Sequence, residues 1–218
     1  MDWRLFAGLP EEDVRRLLSV ARRRRFERHE VVFHKGDPGD TLHLISKGRF
    51  AVRITTQLGE TATLTVMAPG DAFGELALVT ADHLRSATVI ALEPGETYAV
   101  HETDLTRLRK QHPGVNEVLI TILADRVRQV NERLVEALFV GVEMRVLRRL
   151  CDLATLYGDD SGSAAVIPLT QEDIAGLAGT SRATVNRVLR EEARRGTVEL
   201  GRGKTVVVDL TSLKRRAK

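Results

Sequence analysis

One thiol is all that 218 residues offer, at Cys151, and this excludes an internal disulfide framework as well as a cysteine-ligated iron–sulfur cluster within a single chain. No apolar run is long enough to cross a bilayer. The opening residues MDWRLFAGLPEED lack a basic stretch followed by an apolar one. Neither a membrane span nor a secretory signal is therefore expected, and the protein is expected in the cytoplasm. The six histidines, His29, His34, His43, His83, His101 and His112, show neither metal-ligand spacing nor an adjacent nucleophile motif. No metal is expected, and an enzyme is the least supported class. An excess of one charge sign is nearly lacking too, with a net +3, and the excess lies in residues 143–218, where 14 Lys and Arg face 10 Asp and Glu. A basic C-terminal part is compatible with a polyanionic partner.

What is present suffices for a sizeable core: 43% of residues are hydrophobic, which at this length permits one large or two modest domains. Leu5, Leu9, Val14, Leu17, Leu18 and Ala21 recur at helical spacing, with Pro10 suited to a first turn. Arg22–Arg25 then read as the solvated end of that helix, favoured by the helix dipole, rather than as a nucleic-acid contact. From Phe26 to Val100 short β-branched runs alternate with Gly and Pro turns, the texture of a compact antiparallel roll. A polar link from His101 to Gln111 has room for a short helix. From Pro113 a longer helix is predicted, with Ile120, Leu123, Val127, Val130, Leu134, Ala137, Gly141 and Met144 spaced alternately by three and four. Two copies of the chain would bury this seam against each other, while Leu119, Ile122 and Leu138 beside it could instead pack on the roll. Cys151 lies beside Leu147, Leu150 and Leu153 and reads as a small buried thiol, and GDDSGSAA as a flexible loop.

Two constellations carry chemistry. In FGELALVTADHLRSA, Phe73 to Ala87, a glycine and a carboxylate, Gly74 and Glu75, precede an arginine and a serine, Arg85 and Ser86, across a polar loop. Arginine presents a planar fork to phosphate, a serine hydroxyl adds a donor, and a glutamate accepts from sugar hydroxyls. Gly74 lets the backbone approach a ligand closely. Glu75–Leu78 suits a short helix whose free N–H groups would face an anion. Glu75 and Arg85 alone would read as an ion pair across a turn, but Leu76, Ser86 and Ala87 complete a wider pattern. The second constellation is PLTQEDIAGLAGTSRATVNRVLREEARRG, residues 168–196. Thr170 and Asp173 form a capping-box start, Ile174 and Leu177 face inward, Gly179 turns the chain and Ser181 caps a second helix. On that helix Arg182, Thr184 and Arg187 point to one side, with Val185, Val188 and Leu189 packing back. An arginine fork reads guanine O6 and N7, and Ser181 and Thr184 suit phosphates. VELGRGKTVVV follows as two short β-runs around Gly201–Lys204, completing a winged helix, with Lys204 in the wing.

The first constellation resembles the phosphate-binding cassette of the cyclic-nucleotide-binding domain, as found in the cyclic AMP receptor protein family. The second resembles that family's recognition helix, so the likeness covers nearly the whole chain. It implies an α+β fold: an N-terminal antiparallel β-roll of eight strands with a short helix at the ligand (1–112), a long dimerisation helix and hinge (113–142), and a winged helix-turn-helix DNA-binding domain (143–218). It implies cyclic AMP as effector, with Glu75 on the ribose 2′-hydroxyl, Arg85 and Ser86 on the cyclic phosphate, and Gly74 and Leu76 beside them in the ligand site. Double-stranded DNA with a palindromic operator, a second copy of the chain and RNA polymerase are the implied partners. The DNA-contacting set is Thr170, Ser181, Arg182, Ala183, Thr184, Arg187 and Lys204. Arg126 matches a family arginine that approaches the ligand, and equally suits a salt bridge. The chain departs from the family at three places. The Thr-Ser pair that reads adenine, its serine from the partner subunit, falls at Val130 and Asn131. Asn131 still donates and accepts, whereas Val130 removes a hydrogen bond and keeps cyclic GMP, a cyclic dinucleotide or no effector open. Gly141 replaces a capping aspartate in Phe-x-Asp-Val, weakening the cap and loosening the hinge. Ala183 replaces the glutamate of Ser-Arg-Glu-Thr-Val, exchanging an acceptor for cytosine N4 for contact with a thymine methyl. A nucleotide-binding module acting through a protein partner is the alternative of a different class.

Overall fold

The computed structural model describes Trp3, Phe6 and residues 8–55, 59, 61–158 and 164–218, with Val118 by its backbone alone. Leu5 and residues 159–163 of the GDDSGSAA segment lie outside the described residues. The chain forms two compact units, residues 1–55 with 64–129 and residues 56–63 with 130–218.

In chain order the first elements are α1 (Glu11–Val20), β1 (Arg22–Phe26), β2 (Val31–Phe33), β3 (Thr41–Lys47), β4 (Phe50–Thr55), β5 (Thr61–Met67) and β6 (Ala72–Phe73). Then come α2 (Leu76–Val79), β7 (Thr88–Ala91), β8 (Gly95–His101), α3 (Glu102–Gln111) and α4 (Gly114–Phe139). Pro10 is the residue before α1 rather than in its first turn; Glu11, Glu12 and Asp13 fill that turn, where the helix dipole favours anions. The eight strands make two four-stranded antiparallel sheets, ordered β1-β8-β3-β6 and β2-β7-β4-β5. Strand β3 is buried on both faces because its residues alternate between two cores. Leu42 and Leu44 join Trp3, Leu17, Leu105 and Leu119, whereas Ile45 packs with Phe26, Phe50 and Phe73.

Arg22–Arg25 are not a helix end. They are the exposed body of edge strand β1, paired with β8 in the register Arg23↔Tyr98 and Arg25↔Glu96. Glu96 accepts from Arg23 and lies 3.2 Å from Arg25, so a distant carboxylate makes four consecutive arginines tolerable in a strand. The charges also keep a sheet edge from pairing with other chains.

α4 breaks where expected, at Phe139, and Gly141 (φ −56°, ψ 145°) is the N-cap of the next helix, with no side chain to hold its free N–H groups. The predicted seam therefore ends at Ala137; Gly141 and Met144 fall beyond the break. Within α4 the seam is open: Ile120, Val127, Val130 and Leu134 are all more than half exposed. Leu119 is buried and Ile122 packs beside it, as the alternative use of those positions requires, while Leu138 is exposed.

The second unit adds α5 (Val142–Tyr157), β9 (Ala165–Ile167), α6 (Gln171–Ala178), α7 (Arg182–Arg194), β10 (Val198–Gly201), β11 (Lys204–Val207) and α8 (Leu210–Arg216). The hairpin β10–β11 forms as predicted, with Gly201↔Lys204 closing the turn, and β9 extends it to three antiparallel strands. Ala165, expected in a loop, starts β9. Glu192, buried on α7, accepts from Thr197 at 2.7 Å and from Arg216 at 2.6 Å, tying α7 to α8. Glu136, near the end of α4, accepts from Arg148 at 2.8 Å and Arg149 at 2.7 Å, so two charge-assisted bonds cross the Gly141 break. Cys151 is buried, and burial pushes its thiol up to about 11, well away from a reactive thiolate.

Candidate functional site

The loop of the first constellation folds back so that Arg85 enters the roll between two glycines. Its guanidinium donates from Nη1 to the carbonyls of Thr41 and Gly74, both at 2.9 Å, and from Nη2 to the Thr41 hydroxyl at 2.9 Å. The Phe33 ring lies against it, 4.2 Å from ring centroid to Cζ. Gly74 has φ +89°, and a Cβ there would meet Nη1 at 2.5 Å and the Thr41 carbonyl oxygen at 2.9 Å. A Cβ on Gly39 would meet Nε at 2.6 Å. Both glycines are thus required by close approach. Burial holds the Arg85 pKa below its ordinary value, a shift opposed by Asp40, Glu75 and Asp37.

Glu75 is the N-cap residue of α2, in helical conformation, and its side chain makes no capping bond. The carboxylate is free to turn elsewhere: Oε1 pairs with Arg126 of α4, whose other amino group donates to the Ala72 carbonyl at 2.8 Å. The salt-bridge reading of Arg126 therefore holds, and its partner is the glutamate of the cassette rather than a neighbour on its own helix. Among the described residues Glu75 forms no ion pair with Arg85, whose hydrogen bonds go to Thr41 and Gly74. Leu76 opens α2, half-buried, and Ser86 is exposed just before β7. Val130 and Asn131, about one turn past Arg126, are exposed.

Two buried polar atoms here, Arg85 Nε and Glu75 Oε2, have no hydrogen-bond partner among the described residues. Burying such atoms unpaired costs about 1–3 kcal/mol each. Of the five guanidinium N–H groups, three are engaged by protein, leaving Nε–H and one on Nη2. An anion with at least two acceptor oxygens suits that remainder, and a hydroxyl suits Oε2. The residues present therefore fit a ligand that carries a phosphate and a sugar.

Sequence reasoning missed Gly39, Thr41, Phe33 and His43. His43, buried in β3, stacks on Phe73 with ring planes 2° apart and bonds Thr97 through Nδ1 at 3.0 Å. Its other ring nitrogen faces the Thr41 hydroxyl that receives Arg85. Burial, with Arg85 and Arg24 adding repulsion, lowers its pKa to about 3. A histidine of ordinary pKa in the unfolded chain, near 6.5, takes up a proton that the folded chain refuses. Stability from this group is full above pH 6.5 and falls by up to about 1.4 kcal/mol per pH unit as pH drops toward 3. In His43→Phe, which keeps the stacking, urea midpoints measured between pH 7 and 4.5 are expected to fall less steeply than in the wild type. An unchanged slope would assign the acid sensitivity elsewhere.

In the second unit the capping box is complete. The Thr170 hydroxyl accepts from the Asp173 N–H at 3.2 Å and Asp173 accepts from the Thr170 N–H at 2.9 Å. Gly179 ends α6 in the left-handed region at φ 59°, as the turn requires. Ser181 caps α7, accepting from the Thr184 N–H at 3.2 Å. Val185, Val188 and Leu189 are buried as expected, Ile174 is buried, and Leu177 is only half-buried. Arg182, Ala183, Arg187 and Arg190 stand outward, Arg190 having been overlooked although it follows Arg187 by three positions. Thr184 does not share that face: it is half-buried, its hydroxyl 3.1 Å from Ser181 Oγ. Arg187 donates to Glu143 at 2.5 Å, and Lys204 is exposed at the wing turn.

Comparison with known proteins agrees with both constellations. Residues 23–112 match the cyclic nucleotide-binding domain family and residues 144–216 the Crp-like helix-turn-helix domain family. The chain is 36% identical to the CRP-like cAMP-activated global transcriptional regulator of Mycobacterium tuberculosis, covering 98% of this chain and 96% of the relative. It is 34% identical to the cyclic AMP receptor protein of Thermus thermophilus, covering 91% and 89%. The crystal structure of Thermus thermophilus catabolite activator protein superposes with a TM-score of 0.56 at 33% identity, over 98% of both chains.

Proposed function

The chain belongs to the cyclic AMP receptor protein family of transcription regulators, and from that premise we propose a homodimer that binds a palindromic operator when a cyclic nucleotide, cyclic AMP, occupies each β-roll. The family is one of DNA-binding regulators, not enzymes. The observation that carries the effector reading is the pair of buried atoms, Arg85 Nε and Glu75 Oε2, that have no hydrogen-bond partner among the described residues. In this reading Arg85, Ser86 and the backbone at Gly74 hold the cyclic phosphate, and Glu75 and Leu76 line the ribose. Arg126 links that glutamate to α4. A cyclic AMP-activated relative at 36% identity supports the choice of nucleotide. Residues 1–112 form the nucleotide domain, 113–142 the dimer helix and hinge, and 143–218 the DNA-binding domain. The exposed stripe of Ile120, Val127, Val130 and Leu134 supports dimerisation, since burying four such side chains in a partner's matching stripe contributes about 1.5–3 kcal/mol each.

Val130, where the family places a threonine, supports a second reading in which a nucleotide other than cyclic AMP is preferred. Calorimetry with cyclic AMP, cyclic GMP and a cyclic dinucleotide separates the two. An electrophoretic shift on palindromic DNA, with and without nucleotide, tests gating; equal affinity in both would overturn it. Binding is also expected to weaken steeply with salt as phosphates are neutralised. The outward Ala183 has a consequence of its own. Selection from random duplexes is expected to return half-sites that differ from the family's at the base pair opposite this position, and Ala183→Glu is expected to shift preference there by about 1–3 kcal/mol toward a cytosine. Recovery of the same half-site by both proteins would count against it.

A further inference from the structure

Arg187 stands on the outward face of α7 with Arg182 and Arg190, and among the described residues it alone of the three has a carboxylate partner from outside the helix. That partner is Glu143, in the first turn of α5 and 44 positions away in sequence. Both side chains are 57% exposed, so the pair adds little to stability. Its placement is what matters. Two residues after Glu143, Arg145 donates from Nη1 to the Val140 carbonyl at 2.9 Å, from Nε to the Ala178 carbonyl at 3.1 Å and from Nη2 to the Gly179 carbonyl at 3.2 Å. The start of α5 is thereby fastened to the turn between α6 and α7. Glu143 is thus set beside α7 by the bonds of the neighbouring Arg145 guanidinium to these carbonyls, not by its own side chain alone.

The pair engages one nitrogen, Nη1. Nε and Nη2 keep their protons, which is the fork a guanine O6 and N7 require. A long arginine on a helix surface can instead swing to whichever phosphate is near, a contact that carries no sequence information. Fixing one end of the guanidinium restricts that swing and lowers the ordering cost of the base contact.

We infer that Glu143 is a positioning residue for sequence reading, a carboxylate that braces Arg187 against a base edge and away from the phosphate backbone. The inference rests on the reading of Arg187 as a DNA contact. Glu143 needs no contact with DNA for this role, and its influence passes through one guanidinium.

The test uses full-length protein, saturating cyclic AMP, a duplex recovered by selection from random sequences, and the same duplex changed at each half-site base pair in turn. In Glu143→Gln, discrimination at the base pair read by Arg187 is expected to fall about 3- to 10-fold per half-site, with other positions unchanged. The freed arginine reaches phosphate, so the slope of log affinity against log salt steepens by about one per half-site. In the Arg187→Ala background the Glu143→Gln change is expected to do nothing further. Uniformly tighter binding to every duplex, or the same Glu143→Gln effect with Arg187 absent, would show Glu143 to be only a repelling charge and overturn the inference. Arg187→Ala that binds and discriminates as the wild type does would remove the underlying reading itself, a result distinguishable from the other two. Far-ultraviolet circular dichroism of each variant identifies any loss of folding.

Discussion

Arg85→Ala is expected to lower cyclic nucleotide affinity by about 100- to 10,000-fold and to abolish any gain in operator binding on adding nucleotide. The estimate follows from losing two charge-assisted hydrogen bonds to phosphate, each about 1.5–3 kcal/mol. Arg85→Lys is expected to fare little better. A single ammonium cannot satisfy the carbonyls of Thr41 and Gly74, the Thr41 hydroxyl and a phosphate together, because those acceptors are spread around a planar fork. Removing the guanidinium also leaves those buried acceptors without donors, so a moderate loss of stability accompanies the loss of binding. Calorimetry on a folded variant decides the matter, and a dissociation constant within threefold of the wild type would exclude Arg85 from the phosphate site.

The next largest effect is expected from one methyl group. In Gly74→Ala the added Cβ would lie 2.5 Å from Arg85 Nη1 and 2.9 Å from the Thr41 carbonyl oxygen, on a backbone at φ +89°. Strain at such a conformation costs on the order of 1–3 kcal/mol, and displacement of Arg85 adds to it. Both a lowered melting temperature and weakened nucleotide binding should follow. Gly39→Ala removes the backbone cause, because φ is not positive there while its Cβ would meet both Arg85 Nε and the Ala77 Cβ at 2.6 Å. Binding should suffer there with less of the backbone penalty. Gly141→Ala provides the control, since φ is −56° and no atom of the described residues lies within 4 Å of the new one. If Gly74→Ala binds nucleotide as the wild type does, the close packing of Arg85 against residue 74 has no role in the grip.

The sequence was informative where neighbours along the chain do the work. Thr170 with Asp173, Gly179 and Ser181 are local devices, and each takes the role its spacing foretells. The cassette was legible for the same reason, since Gly74, Glu75 and Arg85 lie within one loop and its flanks. What supports Arg85 was not legible. Thr41 is 44 positions away and carries no motif, and only the pairing of β3 with β6 and β8 brings it to the guanidinium. Arg22–Arg25 were misread because their strand is defined by a partner, β8, some seventy residues on, with Glu96 supplying the counter-charge. The seam was overextended because apolar spacing runs on through Gly141 and Met144, although the backbone turns out of the helix between them and Ala137.

Trp3, the only tryptophan in the chain, donates its indole N–H to the Ile45 carbonyl at 3.1 Å and meets Tyr98 edge-on, with ring centroids 5.8 Å apart. It is buried within the first unit, and residues 130–218 contain no tryptophan at all. Intrinsic fluorescence excited at the indole band is consequently a label confined to one half of the molecule. Melting followed by that emission reports the roll alone, while circular dichroism reports both units. A gap between the two transitions would measure, with no dye attached, how far the sensor and the DNA-binding half unfold as separate bodies.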